Sequence, residues 1–179
     1  PSGVTVIATG KDFPDALSAA PLAKKYNAPI LLVGSDTLDP ALSSELTRLI
    51  VKKVYIVGGT GVVSQEIENK LGDMGIETVR LFGQDRYETS AAVANEIGTS
   101  SKIVVATGED FPDALSIAPW AASNGAPILL TQPDNLPPVI EEYIKKNSIS
   151  NSYVIGGTGV VSENVMSMLP NPQRISGQD

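Results

Sequence analysis

The sequence predicts an α/β fold built from tandem repeated βα units, with mostly parallel sheets and flanking helices. Two observations carry this prediction. Short runs rich in β-branched residues alternate with longer segments that begin with helix-capping residues. The pattern also repeats, because Ala8-Thr9-Gly10 returns as Ala106-Thr107-Gly108 at an offset of 98 positions (106 − 8), and two further segments share that offset. A repeat of this length is the size of a domain rather than of a solenoid unit.

The repeat divides the chain into two units. The first comprises residues 1–97, and the second comprises residues 98–179 and is incomplete at its C-terminal end. The sequence begins at Pro1 without Met and holds fewer than two full units. We therefore expect it to be part of a longer protein.

The first unit contains four predicted strand and helix pairs. Strands are predicted over residues 4–8, 29–33, 53–57 and 78–82 from their short apolar runs. Each predicted helix starts after a residue that can cap an N-terminus, and these are Asp12, Asp39, Ser64 and Asp85. The helices are predicted to end near residues 24, 50, 71 and 97. Such alternation favours a parallel sheet but leaves the strand order open.

The composition excludes several kinds of chemistry. The 179 residues include no His and no Cys, so a Ser-His-Asp triad, a thiolate nucleophile, a Cys or His zinc site and a disulfide are all ruled out. We expect no metal and no cofactor. The net charge of −7 opposes nucleic-acid binding, and no apolar run reaches the length of a membrane span.

Two glycine-rich loops are candidate anion-binding sites. Each follows a strand and precedes a helix, where free N–H groups and the helix dipole attract phosphate or carboxylate. Their residues are Gly58, Gly59, Thr60, Gly61 and Ser64 in the first unit, and Gly156, Gly157, Thr158, Gly159 and Ser162 in the second. The alternative is a tight turn with a left-handed glycine and a Ser cap. Neither loop supplies the Lys of a nucleotide-binding P-loop.

Paired carboxylates and arginines are the other candidates. Asp12 and Asp15, repeated as Asp110 and Asp113, have a spacing that suits acid–base chemistry, but capping of a helix explains it more simply. The chain has four Arg in all, and Arg80, Arg86 and Arg174 flank strand-to-helix turns. A guanidinium there could hold an anion, or it could pair with a nearby carboxylate.

Four ordered motifs carry a resemblance to a known family. They are A-T-G-x-D-F-P-D-A-L-S, A-P-I-L-L, V-G-G-T-G-V-V-S and G-Q-D-R-Y-E-T-S. In this order they closely resemble the cell-wall-binding repeat type 2 family of Gram-positive, notably clostridial, surface proteins. The resemblance implies an extracellular location in the cell wall or S-layer. It also implies a non-catalytic module, usually of three tandem repeats with pseudo-threefold symmetry, that binds an anionic, teichoic-acid-like polysaccharide.

The resemblance also suggests which residues border the polymer. They are Arg86, Arg80 and Arg174, together with Pro29, Ile30, Leu31 and Leu32 and their counterparts Pro127, Ile128, Leu129 and Leu130. Only two repeats are present, and the first has no R-Y-E-T helix before it. A further repeat of the same protein, or a second chain, is therefore expected to complete the module.

The leading hypothesis is non-covalent anchoring of a surface protein to this polymer. Repeated weak sites on one chain suit a repeating polymer because linked binding raises overall avidity. A structural or oligomerisation spacer is the first alternative. A nucleotide- or phosphate-binding α/β enzyme that uses the loops at Gly58 and Gly156 is the second.

Overall fold

Two four-stranded parallel sheets form the framework of the protein, which confirms the predicted fold class. The computed structural model describes residues 2–34, 36–109 and 112–177, with the side chains of Pro112 and Asp113 outside that description. Asp110, which with Asp113 repeats the candidate carboxylates Asp12 and Asp15, also lies outside the described residues.

The elements alternate without interruption in both units. In the first unit they are β1 (Val4–Thr9), α1 (Phe13–Lys25), β2 (Ile30–Val33), α2 (Pro40–Arg48), β3 (Lys53–Val57), α3 (Gln65–Asp73), β4 (Glu77–Leu81) and α4 (Arg86–Ile97). In the second they are β5 (Lys102–Thr107), α5 (Pro112–Asn124), β6 (Ile128–Thr131), α6 (Pro138–Lys146), β7 (Asn151–Ile155), α7 (Glu163–Ser167) and β8 (Pro172–Ile175).

The strand order is the same in both sheets, β2-β1-β3-β4 and β6-β5-β7-β8. All pairs are parallel, and the register places Ile7 opposite Leu31 on one side and opposite Ile56 on the other. After β2 the chain returns across β1 to form β3, so β1 and β3 leave their helices on opposite faces of the sheet. The carboxyl ends of such neighbouring strands form the crevice where open α/β sheets bind ligands.

Most helix boundaries agree with the sequence prediction. Asp12, Asp39, Ser64 and Asp85 all cap helices through their side chains. Helix α2 ends at Arg48, two residues before its predicted end near Ile50. Ile50 adopts φ 55, and the N–H of Val51 bonds the carbonyl of Leu46, which closes the last turn. A β-branched residue in this left-handed conformation gives no signal of the kind that Gly gives.

Helices cover both faces of each sheet, and the central strands β1, β3, β5 and β7 are more deeply buried than the edge strands β2, β4 and β8. In the first unit α2 and α3 cover one face, around Ile56 and Ile67, and α1 covers the other, around Leu22 and Val57. In the second unit α6 and α7 cover the face that carries Ile103 and Val105. Helix α5 covers the opposite face.

Helix α4 joins the two units. Its residues Ala91 and Ala94 belong to the core of the second unit, whereas Val93 packs in the core of the first. At its C-terminal end, the Glu96 carboxylate accepts hydrogen bonds of 2.8 Å from the hydroxyls of Tyr26 and Tyr55. The predicted boundary at residue 97 therefore falls at the end of a helix that both units share.

Candidate functional site

A cleft opens at the carboxyl ends of β1, β3 and β4, beside the crevice that the strand order creates. Its volume is about 270 Å³. The first strand contributes the start of α1, the third contributes the glycine loop, and the fourth contributes the turn into α4. The lining residues are Asp12, Pro14, Asp15, Gly59, Gly61, Val62, Gly83, Gln84, Asp85, Arg86 and Thr89.

Arg86 lies in this cleft at the junction of the two units. Its guanidinium donates a hydrogen bond to the carbonyl of Gly108 in the second unit and lies 3.5 Å from the Asp12 carboxylate in the first. The side chain is 37% exposed, against 8% for Arg80 and 16% for Arg174. Of the three predicted arginines, Arg86 is therefore the one with most surface available to a ligand.

The turn that carries Arg86 is held by its own side chains. The Asp85 carboxylate accepts from the N–H of Glu88 at 2.8 Å, and the Glu88 carboxylate accepts from the N–H of Gln84 at 2.8 Å. The predicted capping box is therefore present, with its return bond one residue before the cap. The hydroxyl of Thr89 accepts from the N–H of Gly83 at 3.1 Å. These bonds fix the direction in which Arg86 leaves the helix.

The same motif also contacts the second unit. Ser90 accepts a hydrogen bond of 3.1 Å from the N–H of Leu130, on the edge strand β6. The ring of Tyr87 packs among the apolar side chains of the second unit. The motif G-Q-D-R-Y-E-T-S is therefore both a helix start and an inter-unit contact.

Gly108 provides the space for Arg86. A Cβ at Gly108 would lie 2.9 Å from Arg86 Cδ and 2.9 Å from Tyr87 Cε1. Its counterpart Gly10 has ordinary contacts, the nearest being Leu32 Cβ at 3.5 Å. In the second A-T-G motif, glycine is thus favoured by the close contact of Gly108 with helix α4.

This difference gives a matched prediction. We expect Gly108→Ala to displace Arg86 and Tyr87 and to lower the free energy of unfolding by about 1–3 kcal/mol, because it overpacks the junction. Gly10→Ala makes the same chemical change without a clash and is expected to stay within about 0.5 kcal/mol of the parent. Urea unfolding of the two variants measures the difference. Equal losses would contradict the role assigned to Gly108.

Arg80 and Arg174 are placed behind the glycine loops rather than in the cleft. Arg80 donates at 2.9 Å to the carbonyls of Gly58 and Val63 and pairs with Glu68 at 2.9 Å. Arg174 donates to the equivalent carbonyls of the second unit at 2.9 and 2.8 Å, and pairs with Glu163 at 2.7 Å. Both guanidinium groups thus bind the loop from inside and hold its shape.

The loops have the structural features that the sequence suggested. Gly58 and Gly156 adopt φ angles of 114° and 99°, a region that favours glycine. Ser64 and Ser162 cap the helices that follow the loops. Gly59 and Gly61 also line the cleft. None of the described residues accepts a hydrogen bond from the N–H groups of Gly59, Thr60 or Gly61. Gly157, Thr158 and Gly159 are the residues of the second loop that correspond to Gly59, Thr60 and Gly61.

Carboxylates oppose Arg86 in the cleft. Asp12 caps α1 and faces Arg86, and Asp85 caps α4. Burial raises the pKa of Asp15, the neighbouring Asp12 raises it further, and Arg86 lowers it. The carboxylate of Asp15 lies against the loop, since a Cβ at Gly58 would be 2.6 Å from its Oδ2. Charge near Arg86 is therefore mixed rather than uniformly positive.

The two A-P-I-L-L motifs have different surroundings. In the second unit Pro127, Ile128, Leu129 and Leu130 are all buried in the core. In the first unit Pro29 and Leu32 are exposed, and Ile30 and Leu31 are partly buried. Neither motif lines the cleft at Arg86. The structure thus brings Arg86 together with Gly59 and Gly61, and places the other predicted residues elsewhere.

Sequence reasoning missed three residues of the cleft region. Asp12 and Asp15 were interpreted as caps, and their meeting with Arg86 required knowledge of the strand order. Gly108 stands out in the sequence only as part of a repeated motif. The available signal was the repeat itself, since an Arg that ends one unit must meet the first turn of the next.

Two further properties bear on the kind of protein. Within the part of the chain that the structure describes, no group of three or more acidic side chains is arranged to hold a metal ion. No helix among the described residues is both long enough and apolar enough to cross a membrane.

Two α/β units with the same strand order, joined by a shared helix, define a tandem-repeat protein. The chain belongs to the cell wall binding domain 2 (CWB2) family, whose sequence model matches residues 2–68 and 80–166. Its two units are cell-wall-binding repeats of the type found in surface proteins of Gram-positive bacteria.

Similar proteins support this assignment. The chain is 41% identical over 178 residues to the N-acetylmuramoyl-L-alanine amidase LytC of Bacillus subtilis, and 39% identical over 177 residues to the amidase enhancer of the same organism. These matches cover 99% and 97% of this chain but 36% and 24% of the relatives. Cwp6 from Clostridium difficile superposes with a TM-score of 0.91 at 31% identity, over 99% of this chain and 30% of Cwp6.

The chain thus spans about a third or less of each of these proteins. The family and these relatives associate the chain with the bacterial cell wall, and the family is one of binding domains.

Proposed function

We propose that this chain anchors a surface protein non-covalently to an anionic, teichoic-acid-like polysaccharide of the cell wall, within or beneath the S-layer. The observation that carries the proposal is the position of Arg86. It is the most exposed of the three predicted arginines and lies in a cleft at the junction of two repeats. A guanidinium offers a planar set of donors that suits a phosphate or carboxylate group.

The glycine loop supplies a second set of donors. Gly59 and Gly61 line the same cleft, and the loop precedes the N-terminus of α3, where backbone N–H groups favour an anion. In this proposal Arg86 and the loop hold the anionic group together. Arg80 and Arg174 act as positioning residues, because their donors are taken by loop carbonyls.

Removal of Arg86 tests the proposal. We expect Arg86→Ala to weaken binding of purified teichoic acid by about ten- to a hundred-fold, which corresponds to loss of a hydrogen bond to a charged group. Arg48→Ala is the matched control, since it removes the same charge from an exposed Arg that pairs with Glu45 outside the cleft. Isothermal titration at fixed ionic strength measures both. Equal losses would show that overall charge, not the cleft, governs binding.

An open surface beside β2 favours a second function, assembly with a further repeat unit. On β6 the equivalent surface is covered by α4 on one face, through Ala91 and Ala94, and by Leu17 of α1 on the other. Two grooves of about 430 and 480 Å³ flank β2 instead, and Leu32 lines both. We propose that a repeat unit preceding the first one, or a second chain, fills both grooves with its own α4-like and α1-like helices.

A further inference from the structure

The cleft has more negative than positive side chains. Asp12, Asp15 and Asp85 line it together with a single guanidinium, that of Arg86. An ionised carboxylate accepts hydrogen bonds and cannot donate them. A ligand made only of negative groups would therefore face repulsion from three sides. A ligand that fits must also bring donors, as the hydroxyl groups of a sugar do.

Asp15 is the carboxylate best placed to receive such a donor. Unlike Asp12 and Asp85, it accepts no hydrogen bond from any of the residues that the structure describes, although it is half-buried against the glycine loop. Its oxygens are therefore open acceptors beside Gly59 and Gly61. A hydroxyl group would satisfy them without adding charge to the cleft.

An exposed aromatic ring adjoins the same cleft. Phe82 is 55% exposed and directly precedes Gly83, which lines the cleft. Its ring lies beside the loop, since a Cβ at Gly59 would be 3.8 Å from Phe82 Cδ2. Because Gly59 has no side chain, the Phe82 ring stays accessible along the loop. An aromatic face contributes a large apolar contact at low entropic cost, and it suits the C–H face of a pyranose ring.

The fold does not require an aromatic residue at this position. The equivalent turn of the second unit reads Arg174-Ile175-Ser176-Gly177, with an exposed Ser in place of Phe82. The two units share their strand order and the guanidinium contacts behind the loop. Phe82 is therefore a local addition to the first unit, at the edge of its cleft.

We propose that the cleft binds a sugar ring next to the anionic group, with Phe82 stacking on the ring and Asp15 accepting from one of its hydroxyls. This inference rests on the proposed polymer-binding function and names the chemistry of the repeating unit. A glycosylated polymer, in which a sugar adjoins each phosphate, matches the cleft better than a bare chain of phosphates does. The second unit, with Ser176, lacks this stacking face.

Two polymers of equal charge test the inference. The probes are poly(glycerol phosphate) carrying glucosyl substituents and the same polymer without glucose. We expect the parent chain to bind the glucosylated polymer more tightly. Phe82→Ser, which copies the second unit, should weaken binding of the glucosylated polymer about five- to ten-fold and leave the unsubstituted polymer unchanged. Phe82→Trp should retain binding of both.

Asp15→Asn and Arg86→Ala separate this inference from the proposal on which it rests. Asp15→Asn should strengthen binding of the unsubstituted polymer, because it removes a negative charge from the cleft. It should also reduce the ratio of the affinity for the glucosylated polymer to that for the unsubstituted one. Arg86→Ala should weaken binding of both polymers. The sugar subsite is overturned if the Phe82→Ser variant binds the glucosylated polymer as tightly as the parent chain does, or if the substitution weakens binding of both polymers equally. The proposed polymer-binding function stands in either case. If Arg86→Ala changes neither polymer, or the parent binds neither, the proposed function itself is overturned.

Discussion

Arg80→Ala is expected to lower the free energy of unfolding of the first unit by about 3–5 kcal/mol, the cost of removing one partner from a buried ion pair. The guanidinium is 8% exposed and lies 2.9 Å from the Glu68 carboxylate. It also donates to the carbonyls of Gly58 and Val63, both at 2.9 Å. Alanine would leave the two loop carbonyls without this donor and would remove the cation beside Glu68, whose carboxylate is 21% exposed and keeps hydrogen bonds from Thr78 and Gln65.

Arg174→Ala provides the internal comparison. It removes the same two carbonyl contacts in the second unit, but its partner Glu163 is exposed and can be solvated by water. We therefore expect a smaller loss, about 1–3 kcal/mol. Urea unfolding followed by circular dichroism gives both values, with Arg48→Ala as a surface control. Losses below about 0.5 kcal/mol for Arg80→Ala would show that the loop does not depend on its guanidinium.

The contrast between Arg80 and Arg86 shows what the sequence could and could not predict about the site. Both lie beside the same turn, and both matched the pattern of an anion-binding Arg. Alternation along β4 places Val79 and Leu81 on the α1 face, so Arg80 faces the other side, where α3 packs. The face on which Arg80 lies could therefore be predicted from the strand pattern. The presence of Glu68 and the loop carbonyls on that side depended on a strand order that local sequence does not encode.

The helix starts were predictable because each depends on a local cap. Asp12, Asp39, Ser64 and Asp85 satisfy N–H groups within three residues of themselves, so sequence alone specifies them. The end of α2 was predicted only to within two residues, because Ile50 adopts the left-handed conformation without the usual Gly to mark it. Contacts over long separations, such as that of Arg86 with Gly108, were equally hidden.

The repeated A-P-I-L-L motif shows the same limit most directly. Leu32 and Leu130 occupy the same place in identical motifs, yet Leu32 is 58% exposed and Leu130 is 0% exposed. No local signal could separate them, because the difference comes from a neighbouring unit. Leu17 of the first unit packs in the same cluster as Leu130, whereas Leu32 lines an open groove and belongs to none of the buried clusters of the described residues.

Leu130→Ala is therefore expected to lower the free energy of unfolding by about 2–5 kcal/mol, the range for removing a fully buried leucine side chain. Leu32→Ala, the same change at the equivalent position, is expected to cost no more than about 0.5 kcal/mol in this chain. Thermal and urea unfolding of the two variants measure the difference. Similar losses at both positions would contradict the open surface at β2.

The same pair of variants tests the proposed assembly when a longer chain carries a repeat before the first unit. If that repeat fills the grooves beside β2, its α1-like helix covers Leu32 as Leu17 covers Leu130. The cost of Leu32→Ala should then rise toward that of Leu130→Ala, because the lost side chain would leave a cavity in a closed interface. A cost that stays near zero would mean that β2 remains open in the longer chain, and that a further unit does not complete the module there.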